Sequence, residues 1–148
     1  MGLLISKYFH TRQKFFRELC QFCENLNLKI SYSKTKLEEI IHKEMQNASG
    51  EFALFLEQYL HFLMGEIAKE DFFCVKTRFL SSEERDGVFN FFASLGEMAK
   101  EEEMEKISFY KKTFEKISDE CDKSTKKFSS LYFKLCIIFG LFLVVIFI

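Results

Sequence analysis

The sequence predicts an all-α protein: an antiparallel bundle of about six helices, the last of which continues into a C-terminal transmembrane span. Three observations carry this. The 148 residues contain no proline, the residue that most reliably breaks helices. Apolar residues recur at spacings of three and four along most of the chain. That is the period of a helix face, and no stretch alternates as a half-buried strand would. From Leu131 to Ile148 the chain is almost wholly apolar, and no charged residue follows Lys134.

The elements follow in order. From about Leu4 to Lys29, the residues Phe15, Leu19, Phe22, Leu26 and Ile30 form one helix face. Arg12, Arg17, Glu18 and Glu24 fall largely off it, and the helix stops near Ser31-Tyr32-Ser33. Thr35 and Glu38 are spaced as a capping box, in which hydroxyl and carboxylate each satisfy the other residue's amide. The second helix then carries Leu37, Ile40, Ile41 and Met45 until Asn47-Ala48-Ser49-Gly50 breaks it. A third helix carries Phe52, Phe55, Leu56, Tyr59, Leu60 and Leu63 and is expected to end near Ala68. Asp71 is positioned to cap a brief fourth helix reaching about Phe79. Ser81 and Glu84 repeat the capping-box spacing, opening a fifth helix with Val88, Phe89, Phe92 and Leu95 inward. Gly96 ends it, as a glycine at positive φ does. From about Met98 the pattern runs through Ile107, Tyr110, Phe114, Ile117 and Cys121 with no breaker before the apolar tail. One continuous helix of about 75 Å is expected from domain to membrane.

The uncharged run from Leu135 is only ~21 Å long as a helix, short of the ~30 Å hydrocarbon core of a bilayer. Starting at Phe128 brings it to ~31 Å, with the Lys134 ammonium snorkelling toward the headgroups. A helix apolar all round needs cover on every side when it is buried in protein, and so charged a chain of this size offers little. Lys123, Lys126, Lys127 and Lys134 form a collar on one side of the span, and lysines stay on the cytoplasmic side. Met1 to about Ser130 is therefore expected in the cytoplasm.

Composition excludes several classes of function. A net charge of −1 gives no global electrostatic case for nucleic acid. Phe, Lys and Ile in place of Arg, Pro and Trp suggest an AT-rich genome. Five cysteines at irregular spacing are not a disulfide framework. Cys20 and Cys23 match C-x-x-C, yet the second pair a zinc site needs is missing and the segment reads as an apolar helix face. Gly2 and Ser6 fit a myristoylation pattern, a coincidence beside a transmembrane tail that makes a lipid anchor unnecessary. His10, His42 and His61 are far apart. Glu101-Glu102-Glu103 is a solvated face at a helix start, where acid suits the dipole. No Gly-rich phosphate loop and no nucleophile–base pair appears. The residues thus describe a membrane-anchored helical interaction domain rather than an enzyme. No cofactor, metal or small-molecule substrate is expected.

Three segments, in this order, resemble the stage III sporulation protein AB family. The first runs from Arg12 to Leu19, followed by Leu26, Ile30, Tyr32, Thr35 and Leu37, and is similar to a family pattern of an Arg, a leucine-rich helix and an E-I-x-Y-x-x-T-P-L turn. The second is the Leu95-Gly96 corner leading to Ile107, which resembles L-G-x-x-D-x-x-x-Q-x-x-x-I. The third is the apolar tail. The family's acids near the turn are Asn27 and Lys29 here, its Pro is Lys36, and its Asp and Gln are Ala99 and Glu103. Apolar positions and Gly96 persist, which implies a kept fold more than a kept polar site.

The resemblance implies a soluble part similar to the cytoplasmic domain of type II secretion inner-membrane F proteins. It implies a place in the channel complex joining mother cell and forespore in spore-forming bacteria. There the chain would be a non-catalytic scaffold in the mother-cell membrane, partnered by other stage III proteins and a cytoplasmic ATPase. The alternative is a platform in a general type II secretion or pilus-like system without a sporulation role. More than 120 patterned residues outside the tail argue against a small pore-former.

Family members carry a further span before the domain, and Leu3-Leu4-Ile5 looks like the last turn of one. The expected division is therefore 1–11 as the end of such a segment with a connecting helix, 12–127 as the cytoplasmic bundle and 128–148 as the transmembrane helix. Either the translational start lies further upstream, in which case an apolar stretch of about fifteen codons is expected in frame before Met1, or this member has lost its first anchor.

Overall fold

The computed structural model of the protein describes residues 2–32, 37–97 and 99–147, with backbone alone described at 2–3, 30–32 and 146–147. Among the described residues there are six helices and no strand: α1 (Gly2–Tyr32), α2 (Leu37–Asn47), α3 (Gly50–Leu63), α4 (Lys69–Phe73), α5 (Ser82–Ala93) and α6 (Lys100–Phe147).

The frame is the antiparallel pair α1 and α6. Its register is legible in successive contacts: Asn27 to Ser108, Glu24 to Lys111, Gln13 to Asp122 and Phe9 to Phe128. The apolar face of α1 predicted from spacing is buried at Phe15, Leu19, Phe22 and Leu26, and Phe16 and Cys23 join it. Two faces of α1 are therefore covered, one by α6 and one by the shorter helices.

Those helices pack through aromatic rings. Phe55 lies within 5.8 Å, centroid to centroid, of Phe15, Phe72, Phe89 and Phe92. Phe22 stacks on Phe92 at 5.4 Å. The Tyr59 hydroxyl donates to the Phe92 carbonyl at 2.8 Å, so the one polar atom this large buried side chain carries is satisfied. Helix α5 sits between two layers. Val88, Phe89 and Phe92 are buried as the spacing predicts, and Phe91 is buried as well, against Tyr110 and Phe114 of α6.

The Ser81 capping box is present: the Glu84 amide donates to Ser81 Oγ at 3.3 Å, and the Ser81 amide donates to Glu84 Oε2 at 3.0 Å. The Thr35–Glu38 box lies outside the described residues. Two expectations are corrected. Helix α3 ends at Leu63 rather than near Ala68, because Gly65 takes φ +75° and turns the chain. Helix α4 starts after Ala68, with no side-chain cap from Asp71, and ends at Phe73 rather than Phe79. Phe79 and Leu80 are buried from the loop instead. The ring of Phe79 packs on Phe15 at 5.1 Å, so it is placed by the core and needs no helix.

Helix α6 is continuous over 48 residues, ~72 Å. Its first half belongs to the bundle through Ile107, Phe114 and Cys121. Its apolar end is long enough to cross a membrane, and none of that window is buried in protein.

Candidate functional site

Of the residues singled out in the sequence, Arg12 lies at one end of the bundle and Leu37, Leu95, Gly96 and Ile107 at the other. At the end nearer the apolar tail, Arg12 of α1 meets Glu84 in the first turn of α5. Arg12 Nε donates to Glu84 Oε2 at 3.1 Å, and its Nη2 donates to Oε1. The pair is bidentate and mostly sheltered, with the side chains 17% and 10% exposed. Glu84 is already the acid of the capping box, so one carboxylate closes the α5 N-terminus and ties it to α1. Burial alone would raise the Glu84 carboxyl. Hydrogen bonds from Arg12 and from Ser81 outweigh it and hold the group below its ordinary value. The same bond raises Arg12 further above an already high value.

At the other end, Gly96 turns the chain from α5 into α6 with φ +82°. Its amide donates to the carboxylate of Glu103, which is buried one turn into α6. Leu37 of α2 lies over the corner, its Cδ2 3.6 Å from where a β-carbon on Gly96 would stand. Leu95 and Ile107 are buried on either side of it. The structure thus gathers Leu37, Leu95, Gly96 and Ile107 into one corner, while Arg12 stands apart.

Three polar positions that differ from the family pattern, Asn27, Lys29 and Glu103, are engaged. Asn27 Nδ2 donates to Ser108 Oγ at 3.2 Å. Lys29 Nζ donates to Glu44, which also accepts from Asn25 Nδ2 at 3.1 Å. Glu44 is buried, so this contact pins α2 to α1. Gln13 and Arg17 both reach Asp122. The acidic run at the start of α6 is corrected in one member: Glu101 and Glu102 are exposed as expected, whereas Glu103 turns inward to the Gly96 amide. A carboxylate in the first turn after a glycine corner is a local signal for that role. Nothing local marks Glu44.

The remaining residues are placed as follows. Leu19 and Leu26 are core. Glu38 is exposed in the first turn of α2, and Lys126, Lys127 and Lys134 lie along α6, all three exposed. Thr35 and the side chains of Ile30 and Tyr32 lie outside the described residues.

Little in this arrangement supports covalent or metal chemistry. Burial pushes the Cys20 thiol up to about 12 and raises Cys23 and Cys121 as well, which starves them of the reactive thiolate. No group of three His, Cys, Asp or Glu able to hold a metal occurs among the described residues. The hollows are open and shallow. One, between α2 and α3, is lined by Glu39, His42, Leu60 and Met64 among others. What the structure offers instead is a stiff helical body held at both ends by sheltered polar contacts.

Comparison with known proteins agrees with the motifs. No curated protein matches the chain, and no solved structure matches it. A family model, that of stage III sporulation protein AB, matches residues 1–148, the whole chain. The chain therefore belongs to the stage III sporulation protein AB family.

Proposed function

We propose that this sporulation protein is a non-catalytic, membrane-anchored scaffold of the channel complex between mother cell and forespore. Its bundle faces the mother-cell cytoplasm and engages other stage III proteins, among them a cytoplasmic ATPase. The observation that carries this reading is the family match over the whole chain. The geometry supports it in two ways. The bundle and the apolar tail share one unbroken helix, as a part that relays position between a membrane and a soluble partner requires. Sheltered polar groups hold helices together at Arg12 with Glu84 and at Gly96 with Glu103. The lysine collar supports the cytoplasmic orientation.

Deleting the gene in the native spore-former tests it. Development is expected to stop after engulfment while vegetative growth continues. A copy lacking the apolar end of α6 is expected not to restore it. Normal counts of heat-resistant spores from the deletion strain would refute the role.

A further inference from the structure

We propose that the first turns of α1, beside α6, form a lipid-binding surface that seats in the headgroup layer of an anionic phospholipid bilayer. This rests on the reading that the apolar end of α6 crosses a membrane.

The register of the helix pair sets the level. Gln13 meets Asp122, and one turn further down Phe9 packs on Phe128 at 5.3 Å. Continued by one more turn, the register places Leu4 and Ile5 level with Leu131 to Phe133, in the first turns of the span.

The face of α1 at this level is apolar and uncovered. Leu4, Tyr8, Phe15, Leu19, Phe22 and Leu26 step by four, seven, four, three and four, a single helical stripe. From Phe15 upward the stripe is core. Below the Arg12–Glu84 contact, no shorter helix covers it among the described residues. Leu4 is 73% exposed and Tyr8 41%. Across the seam Tyr132 is 53% exposed. Tyrosines with a wet hydroxyl and an apolar ring suit the boundary between headgroups and hydrocarbon.

Charge identifies the kind of surface. The chain as a whole is nearly neutral, yet no Asp or Glu occurs before Glu18 or after Asp122. Lys7, Lys14, Lys123, Lys126, Lys127 and Lys134 lie on these two acid-free segments. Juxtamembrane lysines are drawn to anionic lipid headgroups, and the apolar stripe between them supplies the buried area that interfacial helices use.

The chain contains no tryptophan, so single-tryptophan variants report position directly. Tyr8→Trp, Phe109→Trp and Phe142→Trp would each be placed in the full chain, reconstituted in phosphatidylglycerol-containing liposomes with brominated acyl chains. Phe109 and Phe142 are both well exposed and lie on the bundle and the span respectively. The expected result is that shallow bromines quench the indole of Tyr8→Trp at least threefold. Deep bromines are expected to quench that of Phe142→Trp, and neither set to affect that of Phe109→Trp. Replacing phosphatidylglycerol by phosphatidylcholine is expected to reduce the quenching of Tyr8→Trp at least twofold.

Quenching in Phe142→Trp without quenching in Tyr8→Trp would overturn the proposal and leave the span intact. An unquenched Phe142→Trp would overturn the span and the proposal together. Equal quenching of Tyr8→Trp in both lipids would overturn the anionic surface. An indole in Tyr8→Trp that is shielded from acrylamide but untouched by bromine would mean a protein covers the stripe, and would also overturn it.

Discussion

Replacing Arg12 by Ala should loosen the bundle measurably. The substitution removes two charge-assisted hydrogen bonds to Glu84, each of a kind worth about 1.5–3 kcal/mol. Breaking a fully buried pair costs about 3–5 kcal/mol. Here the side chains keep 17% and 10% exposure, and Ser81 still holds the carboxylate. The cost therefore falls below the range for a fully buried pair, at about 2 kcal/mol. For a body of this size that corresponds to roughly 8 °C in melting midpoint, read by circular dichroism on the full chain in detergent. Glu84→Gln keeps the shape but not the charge, and its effect depends on pH. A carboxyl whose folded value lies below its unfolded one binds fewer protons when folded. The stability it adds is present above the ordinary 4.5 and is lost as pH falls through the lowered folded value. The gap between the native chain and Glu84→Gln should close on acidification. A midpoint for Arg12→Ala within about 2 °C of the native value, or a gap indifferent to acid, would refute the reasoning.

Gly96→Val should cost about 1 kcal/mol or more, because φ +82° is hostile to a β-branched residue; an unchanged midpoint would show the corner is not constrained. Phe55→Ala should cost about 3–5 kcal/mol, since Phe55 is 2% exposed and ringed by aromatics; a loss below about 1 kcal/mol would mean the rings re-pack freely. Cys74 is exposed while Cys23 and Cys121 are buried, so a thiol reagent should label Cys74 at least tenfold faster, and equal rates would contradict the packing of α1 on α6. A reporter fused after Ile148 should be active only outside the cytoplasm, as the lysine collar requires; cytoplasmic activity would reverse the orientation.

How much of the structure is legible in the sequence depends on how far apart the interacting residues lie. The capping box at Ser81, the positive φ of Gly96 and the unbroken α6 are local, and each can be read from a few neighbours. The stripe of α1 is legible because one helix displays it whole. The end of α3 is not, because Leu63 and Ile67 are four apart and the helical period runs straight through Gly65. The end of α4 is hidden because Phe79 looks like a helical core residue, whereas a loop delivers it. The Arg12–Glu84 bond joins residues 72 apart, and nothing in spacing pairs them. Glu84 is already explained by Ser81, which conceals its second partner.

The absence of any joint in α6 has a mechanical consequence. About thirty residues of it lie between the level of Phe128 and its start at Lys100, a lever of roughly 45 Å. A change of tilt of about 10° in the span would swing the Gly96 corner sideways by about 8 Å. Spans adjust tilt to bilayer thickness, so the sporulating cell's lipid composition would shift the reach of the bundle without any change in its internal contacts.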